Sequence, residues 1–442
     1  MPTINLPQGR YRGGTAPSTH VNYYHGITYC QPFERFQSPK PITSKAESDA
    51  NSDDVIDATQ FGPICPQNPS KLEPYIYGPW PTPPNGGEAD ERRSGVLSVY
   101  QPESAAAEGA QKSLLPVIVY AHGGAWQTGS SQINWYTGTA LSHDGQCVIV
   151  TINYRVGVLG FLYQGDKTDL ACGNQDHILA LEWVRDNIRS FGGNPENVTA
   201  AGQSAGAYNT QLLLDTRPDL FQRAIIMSSP ADRAFGPEDA GKVTETVRAS
   251  LPEGKTLENA SISEILAAQA TATKVHGSQV AQFMPVISDG IAPGGRHSVK
   301  DKSMRKDVLV TWMQHDGSAF AALSQGPQTK ATDELSVKIT DGLFKEPSIR
   351  LAERLHKAGH GVATLEHQWS PEGYALGATH CLDLPLLLGD HEAWGKSPMH
   401  GTVSADEWDR RRKLMRAAFG RFARDGSLSE KLEGTSIKLY SS

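Results

Sequence analysis

Two ten-residue stretches carry apolar, mostly β-branched side chains almost without a break: "LPVIVYAHGG" at 115–124 and "QCVIVTINYR" at 146–155. A strand with one wet face alternates apolar and polar residues. An unbroken run needs cover on both faces, which a parallel sheet between helices provides. The period then changes within "DHILALEWVRDNIRSFGGNPENV", where Ile178, Leu181, Val184, Ile188 and Phe191 recur at helical spacing and Gly192-Gly193 stops the helix. Strand-like "NVTAAG", helical "AYNTQLLLD" and strand-like "RAIIMSSP" follow in turn. This alternation predicts a doubly wound, mostly parallel α/β sheet.

Two later strand–turn units read from "KDVLVTWMQHDG" (306–317) and "GVATLEHQWSPEG" (361–373). The last long helix is predicted to start at Ser404, with Glu407 completing a capping-box pattern, and to run through Trp408, Met415, Phe419 and Phe422. Residues 1–110 are rich in Gly, Pro and Ser with short extended pieces such as "GVLSVYQP" at 95–102; they read as a β-rich lead-in with exposed loops at 43–54 and 103–112. The Ala-rich stretch 231–280 has no sheet-like run and is expected to be a helical cap. There are no internal repeats, and 1–442 reads as one α/β domain whose C-terminal part, 306–442, carries the late strands.

Composition narrows the class. With 38% hydrophobic and 20% charged residues the chain reads as a soluble globular protein. A net charge of -7 without runs of one sign speaks against nucleic acid as a partner. No run approaches the ~20 apolar residues of a membrane helix, and the N-terminus lacks the apolar core of a signal peptide. Cys30, Cys65, Cys147, Cys172 and Cys381 are scattered without C-x-x-C spacing, so zinc and redox motifs are not expected. The simplest reading is reduced thiols in a cytoplasm; the oligomeric state is not legible.

Chemistry enters at Gly202-Gln203-Ser204-Ala205-Gly206, a G-x-S-x-G between a strand and a helix. That context defines a nucleophile elbow: a tight turn strains the serine, small flanking residues relieve crowding, and the next helix aims its N-terminus beside the hydroxyl. "HGGAWQTG" (122–129) follows the first buried strand, and its glycines let backbone N–H groups approach a substrate oxygen. Either motif alone is also an ordinary glycine turn; both, each after a buried strand and in this order, point to acyl transfer.

These residues resemble the type-B carboxylesterases, the cholinesterase-like branch of the α/β-hydrolases. "GITYCQPFERFQSPKP", "FGPICPQ", "HGGAW", "WYTGTAL", "VIVTINYRVGVLGFL", "ALEWVRDNIRSFGGNPENVT", "GQSAG" and "FQRAIIMSS" follow in family order. The resemblance implies a triad of Ser204 as nucleophile, Asp316 (in "VLVTWMQHDGSAF", where the family has glutamate) as acid, and His380 (in "GATHCLDLPLLLG") as base. It implies an oxyanion hole from the N–H groups of Gly124, Ala125 and Ala205, with no metal and no organic cofactor. His122 reads as part of the oxyanion loop, and His315, which precedes the turn, is the weaker base. Asp289 resembles a non-catalytic family segment, and Asp383 sits too near His380 in sequence to face it easily. Trp126 is a candidate for lining the substrate pocket, Tyr208 a weaker one.

The departures are informative. Gln203 stands where glutamate is usual, which removes a charge that would favour the imidazolium. Cys381 replaces a glycine. Ser94 falls where the first family disulfide needs a partner for Cys65, so that bond is not expected. The stretch from Asp316 to His380 is short for the family, which predicts a reduced cap and an open entrance. The expected function is a serine carboxylesterase cleaving small to medium uncharged esters through an acyl-enzyme. The alternatives are carbamate or amide hydrolysis by the same triad, or a catalytically dead binding protein on the same fold.

Overall fold

The unbroken apolar runs become strands covered on both faces. The computed structural model describes residues 1–42, 44, 55–106, 113–165, 170–277, 282–296, 304–428 and 432–440. In chain order the strands are β1 (Thr3–Leu6), β2 (Gly9–Arg12), β3 (Gly14–Thr15), β4 (Asn22–Thr28), β5 (Ile56–Asp57), β6 (Val96–Gln101) and β7 (Leu115–Ala121). They continue as β8 (Val148–Ile152), β9 (Gly193–Gln203), β10 (Arg223–Met227), β11 (Asp307–Met313), β12 (Gly361–His367) and β13 (Thr435–Tyr440). β1, β2 and β5 form a small sheet; the other ten form one sheet in the order β13-β12-β11-β10-β9-β7-β8-β6-β4-β3. The six central strands, β12 to β8, are mutually parallel. The outer ones, β13 on one edge and β6, β4 and β3 on the other, run antiparallel. This is the α/β-hydrolase arrangement.

Alternate residues of each central strand enter opposite cores. Val117, Val119 and Ala121 of β7, with Val148, Val150 and Ile152 of β8, pack into one. Ile118, Tyr120 and Ile149 pack into the other. The first core is closed by the helices Cys172–Asn187 and Ala205–Thr216 through Leu181, Val184, Leu213 and Leu214; the second by Ala405–Asp425 through Trp408, Phe419 and Phe422. Ser404 caps that last helix by accepting the Glu407 N–H at 3.3 Å.

Some expectations needed refinement. Ile188 and Phe191 continue the helical face in a 3-10 turn rather than an α-helix, ending at left-handed Gly192. Glu103–Ala106 is a short helix where a loop was expected. The rest of the two predicted loops, 43, 45–54 and 107–112, lies outside the described residues, as do 278–280 of the expected cap. Within that cap stretch stand two helices, Pro237–Ala249 and Ile262–Val275. β13 and the helix Glu346–Ala358 were not foreseen.

One buried ion pair fastens the N-terminal segment to this core. Just past β8, Arg155 donates from N and Nε to Asp176 Oδ2 at 3.0 and 2.9 Å and from Nη2 to Oδ1 at 2.7 Å. Its Nη1 reaches the Glu34 and Gln37 carbonyls, and its guanidinium lies 4.3 Å from the Phe33 ring centroid. Both side chains are nearly inaccessible, so removing either strands the other charge. Asp176→Ala is therefore expected to lose about 3–5 kcal/mol in urea unfolding, and Arg155→Met/Asp176→Leu to recover most of it, because no lone charge remains. An Asp176→Ala protein within about 1 kcal/mol of wild type contradicts this account.

Candidate active site

The parallel strands end along one edge, and the ends of three of them, β7, β9 and β11, lead into residues singled out by sequence. β9 stops at Gln203 and a helix starts at Ala205, leaving Ser204 alone to make the turn at φ 56, ψ −119. Such a conformation costs a non-glycine residue about 1–3 kcal/mol. It is held from both sides: the Ser204 N–H donates to the Met227 carbonyl at 2.8 Å, and its carbonyl accepts the Tyr208 N–H at 3.0 Å. The flanking glycines are obligatory. A Cβ on Gly202 would lie 2.3 Å from the Gly206 carbonyl oxygen, and one on Gly206 2.2 Å from that of Ala121.

Asp316 follows β11 and is fully buried. Its Oδ2 accepts the Met313 N–H at 2.8 Å and the Ser228 hydroxyl at 2.9 Å; its Oδ1 accepts Nδ1–H of His380 at 2.7 Å. With Nδ1 occupied by the proton, Nε2 of His380 is an acceptor, and the Gln203 side-chain N–H donates to it at 3.2 Å. Phe320 and Phe344 pack on the imidazole, with ring centroids 5.1 and 4.8 Å away. Burial by itself depresses the basicity of this ring. The Cys381 sulfur and the Asp316 carboxylate outweigh it, so the histidine is held above its ordinary value. Cys381 has φ 71, a left-handed geometry that accounts for glycine in the family pattern. Its sulfur lies 3.1 Å from the Tyr77 hydroxyl and accepts a Gln203 N–H at 3.3 Å.

After β7 the chain turns through Gly124 (φ 111), Ala125 (φ 54) and Trp126 (φ 58). Among the described residues, the backbone N–H groups of Gly124, Ala125 and Ala205 have no protein acceptor. Gly124, Ala125, Ser204 and His380 line one cavity of about 480 Å³. The Ile262–Val275 helix forms part of its wall through Gln269, Ala270, Thr273 and Lys274, and Leu72, Tyr77, Phe320 and Leu323 add an apolar side. Trp126 is not on this wall. It is fully buried, donates Nε1–H to Asn209 at 2.9 Å and meets Tyr208 edge-on, so it supports the loop from behind. Tyr208 is equally buried and donates to the Arg233 carbonyl at 2.7 Å.

The rival candidates stand elsewhere. His122 stacks on Tyr154 with centroids 4.4 Å apart and contacts the Gly123 carbonyl through Nδ1. His315 exchanges bonds with Ala378: its N–H donates to the Ala378 carbonyl at 2.9 Å, and its Nδ1 accepts the Ala378 N–H at 3.0 Å. That pair stitches the acid loop to the histidine loop. Asp289 is exposed and pairs with Arg296. Asp383 is buried beneath the site, where burial, aided by Asp316, pushes its carboxyl up to about 7. Sequence reasoning missed Ser228, whose φ of 48 turns its hydroxyl onto Asp316; its position at the end of "RAIIMSS" was the available signal. Among the described residues, no group of His, Cys, Asp and Glu side chains is arranged to hold a metal ion, and no helix is long and apolar enough to cross a membrane. None of the five cysteines is in a disulfide.

Comparison with known proteins shows the family and the fold. The model of the carboxylesterase family matches residues 1–357. A probable N-octanoylanthranilate hydrolase of Rhodococcus erythropolis is 31% identical over 97% of this chain and 94% of its own. The para-nitrobenzyl esterase of Bacillus subtilis is 34% identical over 54% of this chain and 46% of its own. The solved structure of a thermophilic PNB esterase superposes with a TM-score of 0.78 at 24% identity, covering 99% of this chain and 93% of that one. The family match spans Gly124, Ser204 and Asp316 alike, and the chain therefore belongs to the carboxylesterase family, carboxylic-ester hydrolases built on the α/β-hydrolase fold.

Proposed function

We propose that Ser204, His380 and Asp316 act as nucleophile, general base and orienting acid in the hydrolysis of small to medium carboxylic esters. The observation that carries this reading is the 2.7 Å bond between His380 Nδ1 and the buried Asp316, on a ring that shares one cavity with Ser204. Asp316 fixes the tautomer, leaving Nε2 to take the serine proton once it exchanges the Gln203 N–H for the Ser204 O–H. Ser204 Oγ then adds to the ester carbonyl. The oxyanion is met by the N–H groups of Gly124, Ala125 and Ala205, each about 3 kcal/mol of transition-state stabilisation in comparable sites. The histidine protonates the departing alcohol, and water, activated by the same ring, releases the acid. No step asks for a metal or organic cofactor. We read 1–442 as one domain, supported by two cores that share a single sheet, and a reducing cytoplasm as its matching compartment, supported by five cysteines outside any disulfide.

Amide hydrolysis is the second reading. The Rhodococcus relative is named for a substrate that is an amide, and the same triad serves either leaving group. A dead binding protein is disfavoured, because all three side chains are present and two are already bonded.

Ser204→Ala is expected to lower kcat for 4-nitrophenyl butyrate on the order of 10⁴-fold or more and to abolish labelling by a fluorophosphonate probe. Equal rates in the two proteins remove the proposal. A base held above the ordinary histidine value must lose its proton to work, so kcat/KM should rise with pH along a single limb whose midpoint lies above about 6.5. Gln203→Glu places a carboxylate beside the ring and should move that limb to higher pH; a shift to lower pH would contradict the assignment. For the leaving group, matched 4-nitrophenyl octanoate and octanoyl-4-nitroanilide decide. The ester reading expects a kcat/KM at least about tenfold higher for the ester, and the reverse ranking selects amide hydrolysis.

A further inference from the structure

The cavity above Ser204 has an uneven charge. Lys71 and Lys274 line it, from two segments far apart in the chain, and among the described residues no aspartate or glutamate does. This runs against the composition, since 48 acidic residues outnumber 41 basic ones. Both lysines are exposed, which places them at the mouth. Among the described residues neither side chain has an ion-pair or hydrogen-bond partner, a state they share with other lysines such as Lys338, Lys357 and Lys413; what sets them apart is that both line the cavity of Ser204. Lys274 sits in the last turn of Ile262–Val275, where a cation also suits the helix end. That explanation does not extend to Lys71, which precedes its turn.

Two unpaired ammonium groups beside an apolar wall form a recognisable shape. Leu72, Phe320 and Leu323 offer contact to hydrocarbon, and the lysines offer charge at the open side, where water screens but does not cancel it. The two lysines give the mouth a local charge opposite in sign to the net charge of -7 that the whole chain carries.

We propose that this esterase prefers esters bearing a second, ionised carboxylate beyond the scissile bond, with Lys71 and Lys274 as specificity-determining cations. Neutral esters are still turned over; the acidic arm adds attraction at the mouth. The inference rests on Ser204 being the nucleophile, and the two separate in one experiment.

The test compares each carboxylate ester with its methyl ester: 4-acetoxybenzoate with methyl 4-acetoxybenzoate for the alcohol side, and the mono-4-nitrophenyl ester of adipic acid with its methyl ester for the acyl side. At about 20 mM ionic strength, at least one carboxylate ester should show kcat/KM about tenfold above its methyl partner, and about 0.5 M NaCl should erase most of that advantage. In Lys71→Gln/Lys274→Gln the carboxylate-to-methyl ratio should fall about tenfold. The proposal is overturned if neither carboxylate ester is favoured, if the ratio ignores salt, or if the double variant leaves the ratio unchanged. The salt series uses the wild-type protein, so it stands even if the variant folds poorly. Failure of the nucleophile assignment looks different: the neutral methyl esters would be cleaved equally by wild type and Ser204→Ala.

Discussion

A carboxylate with no access to water must be met by donors, and Asp316 is met by three. One is the backbone of the strand it follows (Met313), one is the hydroxyl at the end of the neighbouring strand (Ser228), and one is the imidazole of His380. Remove the donors and the ionised group is intolerable where it stands, since an unpaired buried charge costs several kcal/mol. The carboxylate thus obliges the ends of β10 and β11 and the histidine loop to converge. The same demand decides how His380 is used: with its Nδ1 proton committed to Asp316, the other nitrogen is the acceptor the proposed chemistry needs.

Around that anchor, strain is concentrated rather than spread. Among the described residues eight non-glycine residues have positive φ, and five of them (Ala125, Trp126, Ser204, Ser228 and Cys381) stand in the loop after β7, the turn at Ser204, the residue that bonds Asp316 and the loop of His380. Each such geometry is unfavourable alone. They persist because the parallel sheet fixes the strand ends: Met227 pairs with Gln203 and with Thr311, so the residues that follow are delivered side by side and held by bonds such as Ser204 N–H to Met227 and Ser228 N–H to Thr311. The buried Trp126 serves the same end, bracing the oxyanion loop from the core.

The departures from the family pattern fall together in space. Gln203 and Cys381, distant in sequence, touch each other, and Gln203 also touches His380. A neutral amide and a thiol stand where the family has a carboxylate and no side chain. The ring is held up against its burial by the Cys381 sulfur and by Asp316, not by a charge at position 203. Cys381 also bears a backbone geometry that glycine would adopt more cheaply, and the bond to Tyr77 offers a reason for its being tolerated.

The sequence by itself determined the order of the central strands and their helices, the turn at Ser204 and the glycine turn after β7. These are local facts: a buried strand must be apolar throughout, and a turn that admits no Cβ must be flanked by glycine. The antiparallel β13 stayed hidden because edge strands are short and half exposed, and so lack that unbroken signature. Asp316 and His380 were singled out only through resemblance, since a lone aspartate or histidine has no periodicity to mark it. Only the tertiary structure decided that Ser228 bonds the acid, that Trp126 faces the core and that Lys71 and Lys274 share one mouth. Those relations depend on which strand ends and helices the sheet sets side by side, and contact across the sheet leaves no trace in local pattern.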